Sequence, residues 1–374
     1  MAHALGVPRS HSSRRWADID TSVDAARKSA CATARLQRSA TTSGVTRIII
    51  RGDGVAAYCC AYLLSKAGHE VTLEPVDRPR LPAIMLSDHA LALIRDIFDR
   101  ADLFRDAPHI RRRMVAWGPD STPLALDHSA VVVSEAILLK ELLPSLTPSD
   151  SAPAWTIFAS RPLPAPAEEH PFGSRMASAI AVRLKDASAA ETCWIESLEN
   201  GWLFVIPNAP GSAWLLAVGS TPAALLSESG IIQEQIAEAQ TSAGQFPAYP
   251  RIVSPLSGDR WLACGTAAMA FDPLCGDGTA HAVREAILAS AVIRAVANDG
   301  PVDGILAHYQ ARLTAGFRRH LALCREFYTS SGNGPWWRTE LDSIQQGIDW
   351  CDTRLKSHGE FRYQLKDFEL HALR

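Results

Sequence analysis

The sequence predicts a mixed α/β fold, and three observations carry that prediction. A short apolar strand near residue 48 runs through a glycine turn into a helix and then a second strand. Residues 177–219 read as an antiparallel meander. A second cluster of glycines stands at the head of a helix near residue 278. The chain has 374 residues, 47% hydrophobic and 21% charged, enough for two domains with a sizeable core. A formal charge of −3 supplies no basic field and predicts no nucleic-acid partner. No run of about 18 apolar residues occurs, so no membrane span is expected.

Residues 1–44 are rich in Arg, Ser, Ala and Thr and carry little apolar periodicity; they read as a disordered extension. Ile48 to Ile50 then form a continuous apolar run, the pattern of a buried parallel strand. Gly52-Asp53-Gly54-Val55-Ala56-Ala57 follows, and a helix of small and apolar residues continues to Lys66. Gly68 closes it, and "EVTLE" is the second strand. Within such a β-α-β unit the pattern G-x-G-x-x-A predicts a dinucleotide site. Gly52 permits the tight turn, Gly54 admits a pyrophosphate against the backbone, and Ala57 allows close helix–strand packing. Val55 and Ala56 open the helix, whose unpaired N–H groups face the phosphates. Glu74, at the end of the second strand, is placed to accept bonds from the adenosine ribose.

Farther on, 86–99 reads as an amphipathic helix, 111–118 and 129–133 as strands, and 134–146 as a helix capped by Ser134. A proline-dense loop follows, from Pro144 to Pro171, and a change of layer is expected there. In the meander, Asn200-Gly201 predicts a type I′ hairpin turn, and Trp194, Trp202 and Trp214 ride on the strands. Residues 220–240 read as helical, 261–264 as a strand, 278–297 as a helix, and everything after 302 as helical with a break at 330–335. This divides the chain into a dinucleotide domain (45–150 and 255–300), a substrate sheet (151–254) and a helical C-terminal region (301–374).

Eight cysteines occur with no C-x-x-C pair. They read as reduced, buried thiols of a cytoplasmic protein with no metal site.

The second glycine cluster, "WLACGTAAMAFDPLCGDGTAHAVREAILASA", selects among dinucleotides. NAD needs one glycine turn; FAD is longer and needs a second cradle for its flavin half. Gly265 and Thr266 follow a strand, where they can meet the ribityl chain. Pro273 offers a donor-free face to the isoalloxazine ring. Gly276, Asp277 and Gly278 leave room for the ring edge, and the helix from Thr279 points its positive end at the N1/O2 region. His281, in the first turn, is the candidate catalytic side chain. Trp194, Trp202, Trp214 and Trp336 are candidates for an aromatic substrate wall.

These motifs resemble the flavin-ribityl pattern of the flavin-dependent monooxygenase and tryptophan-halogenase superfamily. "TCWIESLENGWLFVIP" is similar to its strand pair ending in G-W-x-W-x-I-P. The stretch "HYQARLTAGFRRHLALCREFYTSSGNGPWW" looks like its helical C-terminal region. The resemblance covers most of residues 46–337. By compact length it is nearest the flavoproteins that hydroxylate a protein tryptophan during quinone-cofactor maturation. It implies a Rossmann-type, glutathione-reductase-like FAD domain with an inserted antiparallel substrate sheet. It also implies an FAD-dependent monooxygenase that hydroxylates an aromatic group, an indole or a protein tryptophan, through a flavin C4a-hydroperoxide. The electron donor would be NAD(P)H or a separate flavin reductase; the substrate would be an aromatic small molecule or a peptide.

The chain departs from the family pattern at Thr266, where the family carries Asp, at Ser134, where it carries Arg, and over "RPRLPAIMLSD" after the second strand. Halogenases need a lysine beside the substrate. The six lysines here, at 28, 66, 140, 185, 356 and 366, include none in the segment after Glu74 where that residue is expected. Halogenation is thus the first alternative to hydroxylation, and a non-catalytic flavoprotein maturation factor the second.

Overall fold

The computed structural model describes residues 45–118, 122–144, 146, 152–240, 244–358 and 362–373. The extension expected over 1–44 lies outside the described residues. In chain order the first half holds β1 (Arg47–Arg51), α1 (Val55–Lys66), β2 (Glu70–Glu74), β3 (Ile84–Ser87), α2 (Asp88–Phe98), β4 (His109–Ala116), β5 (Leu124–Val133), α3 (Glu135–Leu142), β6 (Trp155–Phe158) and β7 (Glu168–Pro171). Then come β8 (Met176–Leu184), β9 (Thr192–Leu198), β10 (Gly201–Ala209), β11 (Ser212–Val218), α4 (Pro222–Glu228), α5 (Ile232–Gln235), β12 (Ile236–Ala239) and β13 (Gln245–Pro247). The last third holds β14 (Arg251–Ser254), β15 (Ser257–Gly258), β16 (Trp261–Ala263), β17 (Met269–Ala270), α6 (Gly278–Ala297), α7 (Val302–Ser331), α8 (Pro335–His358), β18 (Tyr363–Lys366) and β19 (Glu369–Ala372).

Strands β15-β16-β6-β1-β2 form one sheet, in which β2, β1, β6 and β16 run parallel. Parallel strands are covered on both faces, which explains why α1 is apolar nearly all round. Val55, Ala56, Ala57, Cys59, Cys60, Ala61 and Leu64 are buried along it. The same holds for α6, whose residues from Glu285 through Ile293 are all buried. The Cys60 thiol meets the Ala286 carbonyl at 3.6 Å, so the two helices pack face to face.

The second sheet has nine strands, β12-β8-β11-β10-β9-β4-β5-β3 with β13 beside β8, and is antiparallel except between β4 and β9. Strand alternation gives it two separate cores. Ile195, Trp202, Phe204 and Val218 face the main core, shared with the parallel sheet and α7. Trp194, Leu203, Val205 and Leu215 face a second core, closed by Leu225 and Ile232 from α4 and α5. The C-terminal region is the long antiparallel pair α7 and α8, followed by the β18–β19 hairpin.

Several expectations need correction. The proline-dense loop contains β6, which is the strand paired with β1 on the side away from β2. Residues 220–240 are two short helices and a strand, not one helix, because Glu196 draws the chain out of helical pairing. Its carboxylate accepts from the backbone N–H groups of Gly230 (2.7 Å) and Ile232 (3.2 Å). The chain after 302 ends in a hairpin, not a helix. The β9–β10 hairpin is present, but Glu199 and Asn200 form its turn, and neither has positive φ. Gly201 instead opens β10 at φ +148°, where a Cβ would lie 2.0 Å from the Val218 carbonyl oxygen. Glycine serves a cross-strand approach there rather than a type I′ turn.

Candidate active site

The loops that leave β1, β6 and β16 lie at the same edge of the parallel sheet, the edge where such sheets bind ligands. Gly52 turns out of β1 at φ +125° and donates its N–H to the Glu74 carbonyl at 2.8 Å. A Cβ at Gly52 would stand 2.6 Å from Ser160 Oγ in the loop after β6. Asp53, between the two glycines, is buried. It pairs with Arg80 and lies 3.8 Å from Arg78 Nε. Arg78 in turn pairs with the buried Glu135, at 3.0 Å through Nη1, and Glu135 also accepts from the Leu81 N–H at 2.9 Å. This chain of charges holds the Arg78 guanidinium 3.5 Å from where a Gly54 Cβ would be. Glu74 is exposed at the sheet edge and bonds Arg51 at 2.8 Å.

The second bend touches the first. Gly265, at φ +58°, packs so close to α1 that a Cβ on it would lie 2.8 Å from Ala56 Cβ. Thr266 beside it is exposed, with its hydroxyl donating to the Ala159 carbonyl at 3.3 Å. Glu285 of α6, wholly buried, accepts the Gly265 N–H at 2.7 Å. Burial pushes its carboxyl up to about 8, although the Gly265 bond works against that shift. The other oxygen, Oε1, has no hydrogen-bond partner. From Glu285 back to Gly278, at ~1.5 Å per residue, the head of α6 stands roughly 10 Å away along the helix axis.

That head is open. Gly276 turns at φ +64° with only Met85 Cε near its missing Cβ, at 3.9 Å, and Gly278 has nothing within 4 Å. Helices α2, α3 and α4 are capped by the side chains of Ser87, Ser134 and Thr221. Helices α1 and α6 have no side-chain cap, so their first N–H groups face the cleft unpaired by side chains. Thr279 and Pro273 are half-buried at this mouth. Asp277 pairs with Arg284 at 2.9 Å and lies 3.8 Å from His281 Nε2. The His281 ring stacks on Phe271, with centroids 4.1 Å apart. Burial first, then His320, Arg284 and Arg319, push its pKa well below the usual range, so it is neutral at pH 7.

Behind the α6 head lies a buried ionic network that sequence reasoning missed. Arg175, Asp272 and Glu340 are all buried. Arg175 pairs with Asp272, and with Glu340 at 2.8 Å. Tyr328 donates its hydroxyl to Asp272 at 2.8 Å, Trp202 donates its indole N–H to Tyr328 at 3.3 Å, and the Asp272 N–H goes to His320 at 2.8 Å. The network fixes the residue just before Pro273 to Arg175 at the entry of β8, and to α7 and α8. These charges are 97 and 165 residues apart in the chain, so no local spacing announces them. The same is true of Arg78 and Glu135.

The tryptophans divide. Trp202 is wholly buried, and the alternation of β10 and β11 puts it on the same face as half-buried Trp214. Trp194 is buried in the second core, on the opposite face. Trp336 is half-buried, 6.0 Å from Tyr328 in a stacked pair.

No family model matches the sequence, and no curated protein matches it. Solved structures do match. The peptidyl tryptophan dihydroxylase QhpG, essential for tryptophylquinone cofactor biogenesis, is 20% identical, with TM-score 0.66 over 79% of this chain and 78% of that one. The flavin-dependent halogenase CmlS is 17% identical, with TM-score 0.68 over 84% and 72%. A variant of HpxO from Klebsiella pneumoniae, complexed with FAD, is 15% identical, with TM-score 0.59 over 83% and 98%. With two glycine bends meeting at the end of a parallel sheet, beside a tryptophan-bearing antiparallel one, the chain has the fold shared by flavin-dependent hydroxylases and halogenases.

Proposed function

We propose that this chain is an FAD-dependent monooxygenase that hydroxylates an aromatic group, an indole or a peptidyl tryptophan. One observation carries the reading: the heads of α1 and α6 both lack a side-chain cap, and Gly265 packs on Ala56 while bonding Glu285 about two turns along α6, an arrangement that offers two backbone cradles to one extended dinucleotide. The residues fit such a group. Gly54 and Gly278 leave the backbone bare, Arg78 and Arg80 place guanidinium donors at the first cradle with their charge balanced by Asp53 and Glu135, and Thr266 is exposed at the second. In this reading the chain divides into a glutathione-reductase-like FAD domain, a substrate sheet and a helical C-terminal region, as set out from the sequence.

FAD, when bound, supplies reductive activation of O₂ and transfer of one oxygen atom to the ring. The chain's own residues do the rest. The α1 N–H groups and Arg78 would hold the pyrophosphate, and Glu74 would accept from the adenosine ribose. The uncapped α6 head would favour negative charge on a flavin ring bound there. Neutral His281, at the same head, is a hydrogen-bond partner for substrate or oxygen rather than a cation. The inner face of the antiparallel sheet, with Trp214 at its open part, excludes water and orients an aromatic substrate. Electrons come from NAD(P)H or a separate reductase. The described lysines stand at the end of α1, in α3, after β8, in the last turn of α8 and in the terminal hairpin. None is in the segment after Glu74 where a halogenase lysine is expected, which favours hydroxylation over halogenation.

The test is the absorbance spectrum of the purified protein, followed by product mass with an indole or tryptophan-peptide substrate, with and without bromide. A flavin spectrum and a product about 16 mass units heavier than substrate are expected. A brominated product would transfer the reading to the halogenases.

A further inference from the structure

We propose that Cys275 and Cys324 form a reversible disulfide on exposure to hydrogen peroxide, tying the cofactor loop to α7. The proposal deepens the reading above, on which it rests for the local source of peroxide: flavin sites that activate O₂ release peroxide when substrate is absent. The two Sγ atoms are 3.8 Å apart, already in contact, and a disulfide closes them to about 2.05 Å. Cys275 ends the turn Pro273–Cys275 and precedes Gly276, so it belongs to the loop that frames the open head of α6. It is 8% exposed, whereas Cys324 is 0%. His320 Nε2 lies 3.3 Å from the Cys324 sulfur, with its lone pair engaged by the Asp272 N–H at 2.8 Å. Cys60 and Cys264 also touch. They are wholly buried between the sheet and its helices, whereas Cys275 keeps a partly exposed edge.

The chemistry balances. Peroxide oxidises the Cys275 thiol by two electrons; its O–O bond breaks, leaving a sulfenic acid and one water. The Cys324 sulfur attacks the Cys275 sulfur as its own S–H proton passes to the departing oxygen. The S–O bond breaks, and the oxygen leaves with that proton as a second water. Burial pushes the Cys324 thiol up, so it rests protonated until the sulfenic acid forms. The same three side chains also have the proximity of a metal site, with donor atoms within 4.8 Å of one another. Two features favour the thiol reading. The His320 nitrogen already accepts a backbone N–H, and no fourth His, Cys, Asp or Glu among the described residues joins the group.

The experiment uses the full chain as purified. It is treated with equimolar hydrogen peroxide, alkylated under denaturing conditions, and digested without reductant. A peptide joining Cys275 to Cys324, two hydrogens lighter than the sum and released by a thiol reductant, is expected, with Cys60 and Cys264 still alkylated. Cys324→Ser should instead trap a sulfenic acid at Cys275, captured by dimedone, while Cys275→Ser should leave Cys324 unoxidised. A thermal melt of each variant establishes that it is folded. The proposal is overturned if all seven described thiols alkylate after peroxide, if Cys275 oxidises in the native chain without cross-linking, or if stoichiometric zinc accounts for protection of the pair. The readout is mass alone. A chain that binds no FAD overturns the cofactor reading and leaves the thiol result standing on its own.

Discussion

The backbone N–H of Gly265 donates to the Glu285 carboxyl at 2.7 Å, in a contact wholly removed from water. Burial raises that carboxyl from 4.5 to about 8, so the folded chain binds the extra proton between these values. Stability therefore falls as pH rises through that window, by at most ~1.4 kcal/mol per unit, and levels off above it. Glu285→Gln removes the titration and keeps an acceptor for Gly265. In denaturant melts at pH 5 and pH 8, the native chain is expected to lose more stability on going to pH 8 than the variant does. Equal losses would mean that Glu285 is already ionised at neutral pH.

Glycines 52 and 278 should respond in opposite ways to alanine. At Gly52 the new Cβ meets Ser160 Oγ at 2.6 Å with φ at +125°, so Gly52→Ala is expected to lower the melting temperature and abolish flavin binding together. At Gly278 the Cβ meets nothing within 4 Å. Gly278→Ala should leave the melt within about a degree or two and weaken FAD binding, on the order of tenfold, by intruding where the ligand lies. Fluorescence titration with FAD reads both. Unchanged affinity in Gly278→Ala would remove the α6 head from the site.

Arg78 links a buried carboxylate to the first cradle. Replacing it alone strands Glu135, a loss of about 3 kcal/mol or more. The double variant Arg78→Gln with Glu135→Gln is expected to recover much of that stability while binding FAD more weakly, with a smaller dependence on salt. A double variant as tight and as salt-sensitive as the native chain would show that Arg78 does not meet the phosphates.

Tyr328→Phe removes the hydroxyl that donates to Asp272 and accepts from Trp202, at 2.8 Å and 3.3 Å. Two buried groups lose a partner, and a loss of about 1–3 kcal/mol is expected in urea melts. Because Asp272 sets the position of Pro273, the flavin absorbance maximum should shift as well. A stability loss with an unaltered spectrum would confine the network to a packing role.

What can be read in the sequence is local. The turn from β1 into α1 needs small residues at fixed spacing, and those are visible in one line of text; the same is true of Gly276 and Gly278 before α6. Strand β6 is hidden because "WTIF" is short and sits among prolines that mark loops. The Asn-Gly pair does mark a hairpin, but Gly201 answers to Val218 on the next strand, a contact the local pattern does not encode. Arg78, Glu135, Arg175 and Glu340 are not legible at all. A buried charge is defined by its partner, and these partners are scores of residues away. The sulfur pair at 275 and 324 escapes for the same reason.

Glu340 comes from the last long helix and neutralises Arg175, which in turn steadies Asp272 beside Pro273. A nascent polypeptide emerging from the ribosome therefore shapes its turn at Gly52 early, but cannot settle the bend at Pro273 until nearly all of it has been synthesised. Order at the second bend is accordingly a late event, and a product truncated ahead of α8 would leave the exit tunnel with Arg175 held by Asp272 alone.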